Sequence, residues 1–285
     1  MKSGFTKSLR MPLIAAFAFA AFPALAADMY SGGLKGAPAY AVPSVWSGFY
    51  LGVNGGYAWG ANSSTLTAGA WDFIDGISAT PVTKFSTEGG FGGGQLGFNV
   101  QRDRVVFGLE ADIQGAGING KGYALANADL GDVTTEAWAQ SNLDWFGTFR
   151  GRLGYTFGGT LVYATGGLAF GGVRDSLSQL STTNLAEPAL TSTPSASRNT
   201  TLTGYAVGGG LEMAVTPSWS VKAEYQYIDL GSTTLLATDS GIDLYHGADP
   251  RQFDAGAASV SIGHTYHTAR VGLNYKLSPV YEPLK

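Results

Sequence analysis

A chain of 285 residues with 42 glycines and only 13% charged residues is poor in charge for a soluble domain, in which about a quarter of residues are charged. It has no cysteine and a net charge of −4, which excludes a disulfide framework, thiolate metal sites and thiol catalysis, and leaves no basic footprint for nucleic acid. Its mean hydropathy is near neutral, which excludes a stack of transmembrane helices, each needing about twenty apolar residues; strands that are apolar on one face and polar on the other remain as a way across a membrane.

At the N-terminus Lys2, Lys7 and Arg10 precede an apolar run from Leu13 to Phe22, and Ala24-Leu25-Ala26 supplies a small-x-small cleavage site. Residues 1–26 are therefore predicted to be a signal peptide, removed on export. The alternative is a membrane-anchoring helix, but Pro12 and Pro23 shorten the run available to it. Residues 27–45 carry Gly, Ala and Pro without periodicity and read as a flexible periplasmic arm.

Eight alternating segments follow, rich in Gly and aromatics. Trp46–Trp59 sets Phe49, Leu51, Val53 and Tyr57 against Tyr50 and Asn54. Glu88–Gln101 sets Leu96, Phe98 and Val100 against Gln95, Asn99 and Gln101. In Arg104–Gly115, Phe107, Leu109, Ala111 and Ile113 oppose Glu110, Asp112 and Gln114. In Gln140–Phe157, Leu143, Trp145, Phe149, Leu153 and Tyr155 oppose Asp144, Thr148, Arg150 and Arg152. Thr160–Val173, Thr201–Val215, Trp219–Leu230 and His264–Leu277 repeat the pattern, with Glu212, Lys222, Glu224, Arg270 and Lys276 on the polar parity. Period-two alternation is the signature of strands with one apolar and one polar face.

The connections are of two kinds. Arg102-Asp103, Gly158-Gly159 and Thr216-Pro217-Ser218 are tight hairpin turns. The links Gly60–Thr87, Ala116–Ala139, Arg174–Thr200 and Gly231–Gly263 are far longer than ordinary loops. Short and long links alternate without exception, which in an up-and-down barrel puts all short turns and both termini on one side. The predicted fold is all-β: an eight-stranded antiparallel up-and-down transmembrane β-barrel over residues 46–277, with four long extracellular loops and a short C-terminal periplasmic tail at 278–285.

Low charge, charges confined to one parity and polar long links favour apolar-out strands over a lipocalin-like barrel, which would reverse the pattern. Trp46, Trp145, Tyr155, Tyr227 and Tyr275 are then predicted to form a lipid-facing aromatic girdle. Glu110, Asp112, Asp144, Arg150, Arg152, Glu212, Lys222, Glu224, Arg270 and Lys276 would face the lumen. An eight-stranded barrel is just wide enough for side chains to fill, so these charges must pair or meet trapped water. A salt-bridge network centred on Arg150, Arg152, Glu110, Glu212 and Glu224 is expected; a narrow polar route for small solutes is the sharper alternative.

No catalytic, cofactor or metal site is predicted. The i, i+2 spacing of Glu110 and Asp112 is what lumen lining demands. His264 and His267 have opposite parity and His246 lies in the last long link, so loop or girdle positions explain them better than metal or haem ligation. Ser261 and His264 are close in sequence, but no nucleophile motif surrounds them. Gly92-x-Gly94-x-x-Gly97 matches a dinucleotide fingerprint literally, yet it lies inside a strand rather than between a strand and a helix.

The blocks WSGFYLGVNGGYAWG at Trp46–Gly60, GGFGGGQLGFNVQ at Gly89–Gln101, GLEADIQ at Gly108–Gln114, LDWFGTFRGRLGY at Leu143–Tyr155, LVYATGGLAFGG at Leu161–Gly172, the run from Gly204 to Gly231, and HTARVGLNYK at His267–Lys276 resemble the Omp25/Omp31-type outer-membrane proteins of alphaproteobacteria, the outer-membrane immunogenic proteins. The resemblance covers every predicted strand and the signal peptide but not the long links. It implies an OmpA-like eight-stranded barrel in the outer membrane of a Gram-negative cell, with roles in envelope integrity and host or surface contact; some members are described as porins or haem-binding proteins. Such barrels usually end on an aromatic residue. Here the last strand ends at Leu277 and Ser278–Lys285 continues past it with Pro279 and Pro283, so either Tyr275 and Leu277 serve as an internal assembly signal or the tail has a role of its own.

The expected function is therefore structural and surface-interacting. A narrow porin is the alternative, and a haem or ligand receptor or an outer-membrane enzyme the weaker one. The expected partners are outer-membrane lipid and lipopolysaccharide, the outer-membrane assembly machinery during biogenesis, and host or surface ligands through the loops.

Overall fold

The computed structural model describes residues 45–68, 82–127, 133–184, 191–192, 196–238 and 257–277. The predicted signal peptide, all of the predicted arm except Val45, and the tail after Leu277 lie outside the described residues. Among those described, every element is a strand: β1 (Gly48–Ala68), β2 (Val82–Arg102), β3 (Val105–Asn127), β4 (Val133–Phe157), β5 (Thr160–Asn184), the two-residue β6 (Thr191–Ser192), β7 (Ala196–Ala214), β8 (Trp219–Thr238) and β9 (Ala257–Lys276).

The eight long strands pair in the order β4-β3-β2-β1-β9-β8-β7-β5, and pairing of β4 with β5 closes the ring. Every pairing is antiparallel. At the level where all eight long strands pair, for example Tyr205–Ala214 of β7 against Ser220–Asp229 of β8, the ring has no free sheet edge, so the backbone is satisfied between neighbouring strands; β7 above Tyr205 is paired with β5 but not with β8. The tight turns fall where the sequence places them or within one residue of it: Gly158-Gly159 joins β4 to β5, while Asp103-Arg104 rather than Arg102-Asp103 joins β2 to β3. Asp103 has φ of 53° and Gly158 of 63°, left-handed conformations that Asp tolerates and Gly favours in hairpin turns.

The strands are longer than predicted. Each long strand has 19 to 25 residues, against the roughly nine to eleven tilted residues that span a bilayer. Much of the four predicted long links is paired strand: β1 continues to Ala68, β3 to Asn127, β5 to Asn184 and β8 to Thr238. The reason is visible in β8 and β9, where Thr233, Leu235, Val260 and Ile262 keep pointing inward above the predicted strand ends. That apolar parity continues the interior upward.

The outer face carries Phe49, Leu51, Val53, Leu96, Phe98, Leu109, Ile113, Phe149, Leu153, Leu168, Val207, Val271 and Leu273, all exposed. A band of exposed apolar side chains this large is tolerated only where something other than water covers it. Toward the far ends of the strands the same outward parity becomes mixed, with Asn119, Lys121, Arg174, Asn199 and Thr234 exposed beside Tyr123, Trp138 and Leu236.

The interior is layered, and β9 crosses every layer. Lys276 lies at the turn side, then Asn274, Arg270, Thr268, Tyr266, His264, Ile262 and Val260, all buried. Trp46, Val106, Leu161 and Tyr163 pack together at the turn side. Beyond the charged layer, Phe91 and Phe146 meet edge-on at 5.1 Å within an apolar plug that includes Ile118, Leu143, Ile228 and Tyr266. Phe85, Leu177, Leu235, Val260 and Ile262 form a further apolar layer.

Candidate functional site

The charged layer is built from one inward residue after another on adjacent strands. In the β3–β4 register Glu110 lies opposite Arg150 and Gly108 opposite Arg152; in β7–β8 Glu212 lies opposite Lys222, and in β8–β9 Glu224 opposite Arg270. Register alone therefore places acid beside base around the ring, the arrangement that favours cross-strand pairs.

Arg150 is the hub. Its guanidinium lies 2.6 Å from Glu110, 2.8 Å from Asp112 and 2.8 Å from Glu224, with no side-chain exposure. Because Glu224 is on β8, this last contact spans the lumen. Arg270 reaches the same three carboxylates at 3.4, 3.1 and 2.6 Å. Lys222 Nζ lies 2.9 Å from Glu110, and Arg152 pairs with Glu212. Four acids and four bases thus neutralise one another, as buried charge must.

Neutral groups complete the layer. Thr148 donates to Asp112 at 2.8 Å and accepts from Arg150 Nε at 2.7 Å. Asn274 donates to Glu212 at 2.8 Å. Tyr50 donates to Glu110 and Tyr163 to Glu224, each at 2.6 Å. These tyrosines were not legible as site residues, since an inward aromatic next to glycine-rich strands reads as filler.

Two predicted placements are corrected. Asp144 does not face the lumen. A register shift in β4 between Leu143 and Trp145 turns Asp144 and Trp145 outward together, and Asp144 forms an exposed pair with Arg174 at 3.2 Å. The bulge also moves Leu143 from the apolar exterior to the interior, where it is 3% exposed, because one extra residue reverses the parity beyond it. Trp46 does not belong to an outer girdle. It is 2% exposed, packs on Val106, Leu161 and Tyr163, and carries Lys276 Nζ 5.0 Å from its ring centroid. Trp46 precedes β1, so strand parity does not govern it, and the chain enters the barrel mouth there.

The other girdle residues lie on the outer face. Trp145, Tyr155 and Tyr275 are exposed, with Tyr155 5.0 Å from Phe157 and Tyr275 4.9 Å from Trp219; Tyr227 is half-buried between Tyr205 and His267.

His264 and His267 point to opposite faces. His264 is buried, with Nε2 3.2 Å from Asp175, whereas His267 sits outside and shares a 2.6 Å hydrogen bond with Tyr225. Ser261 is half-buried, and His246 lies outside the described residues. Gly92, Gly94 and Gly97 are inside β2, paired with strands on both sides.

Residues 13–276 match a family model described as the outer membrane protein beta-barrel domain. The chain is 35% identical over 233 residues to a 31 kDa outer-membrane immunogenic protein of Brucella melitensis, covering 81% of this chain and 83% of that one. It is 29% identical over 204 residues to a 22 kDa outer membrane protein of Rhizobium leguminosarum, covering 69% and 78%. Among solved structures, the outer membrane protein OprG of Pseudomonas aeruginosa is similar at a TM-score of 0.39 and 10% identity, over 81% of this chain and 97% of that one.

Proposed function

Since the chain belongs to the outer membrane beta-barrel protein family, we infer that it is a closed transmembrane barrel whose work is structural and surface-directed: an anchor in the outer membrane that holds long β-hairpins at the cell surface. The protein is an outer-membrane protein. The observation that carries the finer reading is the contact of Arg150 with Glu224 at 2.8 Å from across the lumen, inside a layer in which Glu110, Asp112, Lys222 and Arg270 are buried as well.

Three further features support it. The charged layer is capped by Trp46 on the turn side and by the Phe91–Phe146 plug on the other, so ions meet two apolar barriers. The outward Tyr275–Trp219 pair and His267 beside Trp59 lie at two levels of the exterior; eight residues of β9 at about 3.3 Å each, tilted by about 40°, separate them by roughly 20 Å, close to the height of an outer-membrane apolar belt. Beyond that level the strands carry outward polar residues such as Asn119, Lys121, Arg174, Asn199 and Thr234, as hairpins projecting into water require, beside a few apolar ones.

The test is single-channel conductance of the refolded mature protein in a planar bilayer, with insertion shown independently by protease protection. A silent bilayer is expected for the native protein. Reproducible open steps that change in the Arg150→Ala/Arg152→Ala variant would replace this reading with that of a narrow pore lined by those residues.

A further inference from the structure

One aromatic pair is neither core nor girdle. Tyr123 and Trp138 lie directly opposite each other in the β3–β4 register, with ring centroids 4.8 Å apart and each 41% exposed. Trp138 precedes the girdle residue Trp145 by seven positions on β4, which at about 3.3 Å per residue puts it roughly 20 Å farther along the strand. The interior behind this stretch is already filled by Ala139, Leu177 and Phe85, so the pair faces outward without serving the core.

Between the two tryptophans the outer face is lined with amides and charges. Gln140 donates to Asn142 at 3.4 Å. On the flanking strands Lys121 lies opposite Gln140, and Arg174 opposite Asn142. At the foot, the β4 bulge lays the Trp145 indole over Gly172, filling the space a side chain there would need. This opens a groove of about 260 Å³ lined by Asp144, Trp145, Gly172, Arg174, Asn199 and Thr201. Arg174 holds its floor by pairing with Asp144 at 3.2 Å and donating to Asn199 at 3.2 Å. Just below, the exterior is apolar, with Phe149 and Leu168 exposed.

We propose that this strip, from the Trp145–Arg174 groove up to the Tyr123–Trp138 pair, binds the sugar chain of an outer-leaflet glycolipid. The proposal rests on the membrane placement inferred above. Aromatic faces stack on the apolar C–H faces of sugar rings, Asn and Gln offer a donor and an acceptor side by side for paired hydroxyls, and Lys121 and Arg174 suit the acidic groups of a charged glycan. The choice of occupant follows from continuity. The strip starts where the apolar belt ends, so a lipid whose acyl chains lie on Phe149 and Leu168 presents its sugars directly along it. A glycan tethered in this way pays less translational entropy than one arriving from solution.

The experiment uses the full mature protein in lipid nanodiscs, with three probes: the delipidated core oligosaccharide of the outer-membrane glycolipid, the lipid moiety stripped of sugars, and a neutral glucan. Calorimetric titration is expected to show binding of the core oligosaccharide and little of the glucan. Trp138→Ala and Tyr123→Ala should each weaken it about tenfold, equivalent to about 1.4 kcal/mol, while both variants keep the heat-modifiable gel mobility of a folded barrel. Unchanged affinity in both folded variants would overturn the proposal, as would binding of the stripped lipid with none of the core oligosaccharide. Equal binding of the glucan would overturn the glycolipid as occupant. Failure of the native protein to insert would be read separately, from protease protection, and would strike the membrane reading instead.

Discussion

Tyr50 on β1 donates its hydroxyl proton to Glu110 on β3 across 2.6 Å, passing over the intervening strand β2. It can do so because Gly97 lies opposite both residues in register; any side chain there would occupy the place of the Tyr50 ring. The same device recurs across the barrel. Tyr163 on β5 passes over Gly210 on β7 to reach Glu224 on β8 at 2.6 Å. Two tyrosine-over-glycine clasps thus fix two of the three carboxylates that hold Arg150.

Gly97→Ala should destabilise the barrel by about 1–3 kcal/mol through overpacking against Tyr50. Tyr50→Phe should cost about 1–3 kcal/mol because Glu110 loses a buried donor. Equilibrium urea unfolding in lipid vesicles measures both; a neutral Gly97→Ala would mean the ring is not held there.

The two kinds of ion pair should separate cleanly in stability. Arg150→Ala leaves three buried carboxylates short of a partner and is expected to cost about 3–5 kcal/mol. Asp144→Ala breaks only the exposed pair with Arg174 and should change stability by no more than about 0.5–1 kcal/mol. Comparable losses would put Asp144 back in the lumen.

Single-tryptophan variants distinguish inside from outside. In vesicles of brominated lipid, Trp145 and Trp219 on the outer face should be strongly quenched, and Trp46 within the turn-side mouth should not. Trp46→Ala should cost about 3–5 kcal/mol as a buried aromatic truncation.

The belt itself is tested by depth. Val271→Arg, in the middle of the apolar exterior, should cost about 2–4 kcal/mol in a bilayer. Ser232→Arg, exposed beyond the belt, should cost about 0–1 kcal/mol. Equal values would place the bilayer at another height on the barrel.

The sequence by itself determined the strand count, the antiparallel order and the side on which the short turns gather, because period-two alternation and link length are local properties of the chain. It also put Glu110, Arg150, Arg152, Glu212 and Glu224 on the polar parity together, though not which acid meets which base. That depended on register and closure, which bring residues such as Arg150 and Glu224, 74 positions apart, into contact. Parity arithmetic failed where the chain leaves the regular pleat. One bulge sent Asp144 outward and Leu143 inward, and Trp46, lying before the first strand, turned into the mouth. The strand lengths were underestimated for a related reason: the residues beyond the belt alternate more weakly, and only the interior they fill, with Leu235, Val260 and Ile262 packed together, holds them as sheet. Alternation is encoded residue by residue, but a bulge, a clasp over glycine or a filled layer exists only once neighbouring strands are in place.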